Sequence, residues 1–154
     1  MPYRLDTNRS LLDIEVVWAH LSTGAYWGGL RTRGQVEDEF AAAWRVVTAH
    51  DCLTGTLVGF ARAMSDGTNY ALLADLFVVP AHRGQGLGHR IVDHMISRDP
   101  GSEFGWILFT RDAHRLYERF GFERVDAATM IRPPQSIPHR TNSHSSDETS
   151  CCAE

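Results

Sequence analysis

Hydrophobic positions recur along the chain in two periods. Ile14, Val17, Trp18 and Leu21 fall at i, i+3, i+4 and i+7, the stripe of an amphipathic helix, with Ser10 and Asp13 ahead of it as capping residues. A second helix is predicted from Thr32-Arg-Gly-Gln35, a capping-box pattern, with Val36, Phe40 and Trp44 on one face. Residues 45–50, 56–64 and 70–79 then read as strands, separated by turn residues at Thr54-Gly55 and Ser65-Asp-Gly-Thr-Asn69, which predicts an antiparallel meander. Beyond Pro80 a helix over about 86–98 carries Leu87, Ile91, Val92, Met95 and Ile96 on one stripe, and a strand over 104–109 follows. Asp112 is placed to cap a further helix bearing Ala113, Leu116, Tyr117 and Phe120, which Gly121 can end in the left-handed region. A last strand pair over 122–125 and 129–132 is expected to close the domain. This order is that of an α/β (α+β) fold, a mixed sheet with helices packed on it.

Composition narrows this picture. The 154 residues, 43% of them hydrophobic, suit one domain with a sizeable core. Residues 133–154 open with two prolines and contain no aromatic residue, so the domain is expected over 1–132 and a disordered polar tail over 133–154. A net charge of -4 without any Lys/Arg block disfavours nucleic acid and anionic membranes as partners. No apolar leader or membrane-length run is visible, so a cytoplasmic location is expected. The three cysteines, Cys52, Cys151 and Cys152, form neither a disulfide framework nor a zinc spacing, and no metal is expected.

The chemistry concentrates in Arg83-Gly-Gln-Gly-Leu-Gly88. Three alternating glycines between a strand and a helix let several backbone N–H groups turn toward one point, which is an anion site at a helix N-terminus. The spacing is not that of the dinucleotide fingerprint, and the region about 20 residues on is apolar rather than acidic. A glycine turn built only for tight packing is the alternative. Separately, residues 23–30 place Tyr26 and Trp27 among three glycines, either a mobile loop that closes over a ligand or aromatics filling a gap beneath it.

These residues resemble the GNAT superfamily of acetyltransferases. Its signature, (Arg/Gln)-x-x-Gly-x-(Gly/Ala), is matched by Arg83, Gly86 and Gly88, and the strand and proline before it by Leu76-Phe-Val-Val-Pro80. About 25 residues later the family carries Ala-x-x-Leu-Tyr-x-x-x-Gly-Phe, matched by Ala113, Leu116, Tyr117, Gly121 and Phe122. The resemblance covers residues 3–132 and implies a mostly antiparallel sheet of about six to seven strands, flanked by helices and splayed at an acetyl-CoA cleft. By the same resemblance, acetyl-CoA is the acetyl donor. Arg83, Gly84, Gln85, Gly86, Leu87, Gly88 and His89 would hold its pyrophosphate, and Phe77, Val78 and Val79 would run along its pantetheine arm. Thr110, where the family often has Asn, and Ala113 would contact that arm, and Tyr117 would protonate the leaving thiolate.

The group that takes the amine proton is not fixed by the resemblance. Asp75 interrupts the apolar run 70–79. It is either a desolvated base with a raised pKa, or a partner of Arg62 whose pKa is lowered and which serves structure or an acceptor ammonium. His82 and His20 are candidates by chemical type alone. Tyr26, Trp27 and Tyr70, with Asp75, could form an acceptor wall, or the aromatics could pack the core. The expected activity is transfer of an acetyl group to the primary amine of a small molecule by direct attack in a ternary complex, since neither motif contains a cysteine. A non-catalytic acyl-CoA sensor and an acetyltransferase acting on a macromolecule are the alternatives, and a homodimer stays open.

Overall fold

The strand-like runs form a meander in the computed structural model, which describes residues 2–23 and 31–125. Strands β1 (Tyr3–Asp6), β2 (Arg45–Asp51), β3 (Leu57–Ser65), β4 (Tyr70–Val78) and β5 (Gly105–Leu108) lie side by side in chain order. The first four are antiparallel, and β5 runs parallel to β4. Helices α1 (Ile14–Thr23), α2 (Arg33–Ala42), α3 (Leu87–Ile96) and α4 (His114–Glu118) connect and cover them. Among the described residues the sheet thus has five strands rather than six or seven. Residues 122–125 belong to none of them, and 129–132 lie outside the described residues. Strand β1 was not visible in the pattern, because four residues carry too little alternation to stand out. Residues Met1–Glu123 form one compact unit and Arg124–Glu154 a second, of which only the exposed Arg124 and Val125 are described, so the expected boundary at 132 lies outside the described residues.

Local chemistry sets most element ends. The Asp13 carboxylate accepts from the backbone N–H groups of Glu15 and Val16 at the start of α1. Thr32 and Gln35 close the anticipated capping box reciprocally. Gly55 and Gly67 take positive φ in the two hairpin turns. Two expectations shift. Trp44 lies beyond α2, where its indole meets Phe104 and Trp106 and carries the Arg45 guanidinium over its face. The start of α4 is held by Thr110 Oγ1, which accepts from the Ala113 N–H, rather than by Asp112.

The sheet has a core on each face. On one, Leu87, Ile91, Val92 and Met95 of α3 pack against Val47, Ala61, Ala63 and Leu73. On the other, Val17, Leu21, Val36 and Phe40 of α1 and α2 pack against Val46, Phe60 and Phe77. Fully burying the four α3 side chains supplies roughly 6–12 kcal/mol before entropy, so packing fixes this helix and the glycine turn that opens it. Arg45 secures the other end of α3 by donating to the carbonyls of Met95, Arg98 and Asp99. Gly59 lets the helix approach, since a Cβ there would come within 2.8 Å of Ile91 Cδ1.

One irregularity shapes the sheet beside the site. Phe60 pairs with Phe77 and Arg62 with Ala74, so Ala61 alone faces Asp75 and Leu76. This is a β-bulge, and Asp75 sits at φ 52° within it. The extra residue changes which face later side chains occupy: Leu73 points to α3, whereas Phe77, four residues on, points to α1 and α2.

Candidate functional site

Strands β4 and β5 pair only from Tyr70↔Gly105 to Leu73↔Leu108. Beyond that point β4 carries its bulge while the chain after β5 turns toward α4, and a cavity of about 250 Å³ opens between them. Leu72, Ala74, Asp75 and Leu76 line one side, and Leu108, Phe109, Thr110, Ala113 and Tyr117 the other. From Ala74 to Val78 the outer edge of β4 has no strand beside it among the described residues. The Gly59–Val78 pairing leaves the Val78 carbonyl on that edge, where it accepts from Arg83 Nε at 2.8 Å.

The glycine turn stands at the end of this edge. Gly84 and Gly86 are exposed and both have φ 75°, and a Cβ at either would meet nothing within 4 Å, so the turn has room beside it while the conformation itself demands glycine. Gly86 is the N-cap of α3, whose dipole adds positive potential there. The turn is braced from β1: Tyr3 Oη donates to Gln85 Oε1 at 2.8 Å and lies 3.0 Å from His82 Nδ1. A hydroxyl has one proton, so in this arrangement Nδ1 is the donor to Tyr3. Leu87 turns its side chain into the core, leaving only its backbone for a ligand. His89 packs its ring on Phe120, with centroids 4.5 Å apart.

Tyr117 is 8% exposed, its ring edge-on to Phe122 and its side chain part of the cavity wall. Thr110 and Ala113 line the same cavity. Phe77, by contrast, presents its side chain to the α1/α2 core, stacked on Phe60, and can serve an arm along β4 only through its backbone. His20 bonds the Val16 carbonyl and packs against Phe77, and neither it nor His82 lines the cavity. Tyr70 is 62% exposed at the far end of β4, over Gly105, and is neither packed in the core nor part of the cavity lining. Tyr26 and Trp27 lie outside the described residues.

Asp75 holds an ion cluster. Its Oδ2 accepts from Arg62 Nε at 2.5 Å and from Arg31 at 3.0 Å, and its Oδ1 from Arg31 at 2.9 Å. Glu39 joins both arginines, at 2.6 Å to Arg31 and 3.2 Å to Arg62. Burial pushes the Asp75 carboxyl pKa up, but the hydrogen bonds and charges of Arg31 and Arg62 outweigh it and hold the group below its ordinary 3.8. The reading as a base with raised pKa is therefore corrected, and the alternative pairing with Arg62 is the one present. Sequence reasoning missed Arg31 and Glu39 here and Tyr3 at the turn, none of which carries a local signal.

A folded-state pKa below the unfolded one means that the stabilisation from this carboxylate is complete above the unfolded value and disappears as pH falls through the folded one. The urea midpoint is thus expected to decline as pH drops below about 3.8, the ordinary value for this group, with a component missing in Asp75→Asn. An Asp75→Asn profile parallel to that of the parent would remove Asp75 from the acid transition.

The sequence model of the acetyltransferase (GNAT) domain matches residues 42–124. A solved GNAT-family structure from Xanthomonas campestris pv. campestris is 30% identical, covers 86% of this chain and 93% of its own, and superposes with a TM-score of 0.80. The chain belongs to the GNAT acetyltransferases. A GNAT acetyltransferase from Brucella melitensis in complex with acetyl-CoA shares the fold at a TM-score of 0.62, with 18% identity over 79% of this chain and 83% of that one. Over 69 residues, 44% of its length, this GNAT chain is 35% identical to histone acetyltransferase TAP1 of Glycine max. It spans about three tenths of the length of the curated relatives it matches.

Proposed function

We propose that this GNAT domain transfers the acetyl group of acetyl-CoA to the primary amine of a small molecule by direct attack in a ternary complex. The observation that carries the reading is the parting of β4 from β5, which puts an open strand edge, a cavity and Tyr117 in line with the glycine turn of α3. The residues fit acetyl-CoA: the N–H groups from Gly84 to Gly88 suit a pyrophosphate, and the β4 edge suits an amide-bearing arm added like a strand. Bound there, acetyl-CoA supplies an activated acetyl carbon and a thiolate leaving group. The chain's own part is to align the acceptor nitrogen with that carbon, exclude water with the apolar walls Leu72, Leu108 and Phe109, and give the Tyr117 hydroxyl proton to the departing sulfur. Asp75, held as a carboxylate, fixes the bulge that opens the cleft.

Gly86→Val is expected to weaken acetyl-CoA binding by roughly tenfold or more, because a residue with Cβ is forced into the left-handed region at a cost of about 1–2 kcal/mol. Isothermal titration with acetyl-CoA checks it, and an unchanged dissociation constant would detach the turn from the coenzyme. The reading as a whole is tested by incubating the protein with acetyl-CoA and amines of several classes and following acetylated product by mass spectrometry. A second reading, a protein acceptor, is favoured by the likeness to the Glycine max histone acetyltransferase. Acetylated lysine peptides with unmodified small amines would establish it instead.

A further inference from the structure

Helices α1 and α2 cover their face of the sheet only in part. Directly paired residues point to the same face, so Met64 of β3, Leu72 of β4 and Ile107 of β5 form one row across three strands. Arg62, two residues before Met64, lies near the Phe40 ring of α2, which identifies this as the α1/α2 face. Tyr70 lies on the same face over Gly105, and Phe109 follows Ile107 into the cavity wall. Met64 is 39% exposed, Ile107 48% and Phe109 67%. The other exposed large hydrophobic residues among those described, Leu53 and Val125, lie away from this row in the chain. A contiguous apolar patch left open on one face marks a binding surface, whereas scattered ones do not.

We infer that the acceptor amine carries an apolar body, an alkyl chain or an aryl ring, that lies on this corner of the sheet, left uncovered among the described residues, while its nitrogen enters the cleft. The inference rests on the acetyltransferase reading above. What commits the corner to the acceptor is its continuity with the cavity: Leu72 belongs to the row and lines the cleft, and Phe109 bridges Ile107 and the wall that contains Tyr117. A nucleophile at the acetyl carbon would therefore have its body against these side chains. The run from Tyr70 to Ala74 spans roughly 13 Å at about 3.3 Å per residue, the reach of an extended chain of several carbons. Two groups of charge border the corner: Asp112 on the cavity wall, a single carboxylate that suits one ammonium, and the cluster around Asp75. Arg31 and Arg62 bond to Asp75 and Glu39, two positive against two negative groups, so the cluster has no net formal charge. A phosphorylated acceptor finds no surplus of positive charge in that cluster.

The test is a homologous series of unbranched primary amines, propylamine to heptylamine, whose ammonium pKa values are nearly the same, so that differences report binding of the chain. Acetyl-CoA binding is measured separately by calorimetry. With the parent protein kcat/KM is expected to climb by about fourfold per added methylene, the ratio for burying one CH2, over at least three steps. Ethanolamine and spermidine should stay at or below the propylamine value. Ile107→Asp and Met64→Asp, at half-exposed positions outside the cavity lining, should each flatten the series with the acetyl-CoA dissociation constant unchanged. A flat series with the parent, no turnover of any amine despite acetyl-CoA binding, or a series untouched by both variants would overturn the inference. So would a dimer in sedimentation that Ile107→Asp splits, which would give the corner to a second copy. Failure to bind acetyl-CoA at all is a different result, read by calorimetry, and it removes the acetyltransferase reading itself along with what rests on it.

Discussion

Tyr117→Phe is expected to lower kcat by roughly 10²–10⁴-fold, the range for a positioned general acid, with the acetyl-CoA dissociation constant unchanged. The substitution isolates the hydroxyl. Tyr117 is nearly buried, its ring edge-on to Phe122 and packed with Leu116 and the α3 core, and phenylalanine keeps all of that. In the proposed reaction the amine nitrogen forms its bond to the acetyl carbon as the carbon–sulfur bond breaks; the electron pair left on sulfur takes the Tyr117 proton, and the proton shed by the nitrogen passes to water, from which the tyrosinate regains its own. Without the hydroxyl, sulfur must leave as a bare thiolate in an apolar cleft, where charge is costly. Stopped-flow or discontinuous rate measurements beside calorimetric titration separate the two effects. An unchanged kcat would reject the acid role, and a matched loss of acetyl-CoA affinity would make the tyrosine a binding residue.

Asp75→Ala is expected to cost the fold about 3–5 kcal/mol, the effect of removing one partner from a buried ion pair. The side chains of Asp75 and Arg62 are 3% and 7% exposed, so the variant leaves a guanidinium that water cannot reach well with Glu39, at 3.2 Å, as its remaining carboxylate partner among the described residues. It also removes what holds a non-glycine residue at φ 52° in the β4 bulge. Against a typical stability of about 5–15 kcal/mol such a loss is severe. Urea denaturation at neutral pH measures it, and a loss below about 1 kcal/mol, the value of an exposed pair, would show the cluster to be hydrated and the bulge self-supporting. Because Arg62 and Asp75 touch, Arg62→Ala combined with Asp75→Ala should cost less than the two single changes added together.

What could be read from the sequence was what neighbouring residues decide among themselves. The capping box Thr32–Gln35, the α3 stripe, the glycines of the hairpin turns and the left-handed Gly121 each follow from a few consecutive residues, and each is where the pattern put it. The spaced motif ending in Tyr117 was equally legible, because a helix stripe fixes which side chains share a face. Pairing with distant chain was not. Short β1 exists because β2 offers it an edge, and Tyr3 braces the glycine turn from about 80 residues away.

The run 70–78 shows the division most sharply. Its buried positions alternate without a break, as one face of a strand would, yet Leu73 and Phe77 belong to opposite cores. Alternation records burial, not the face on which a side chain is buried, and one bulged residue reverses the face while leaving the alternation intact. That bulge brings Asp75 to Arg62 and Arg31, which settles its charge, and accompanies the parting of β4 from β5 that opens the cleft. The sequence by itself determined most of the elements, the phosphate-type turn and the family motifs, since these rest on backbone conformation and periodicity within a few residues. The tertiary structure alone decided the protonation of Asp75, the removal of Tyr70 from the cavity and the apolar corner beside it, because each depends on which strands, remote in sequence, lie next to one another.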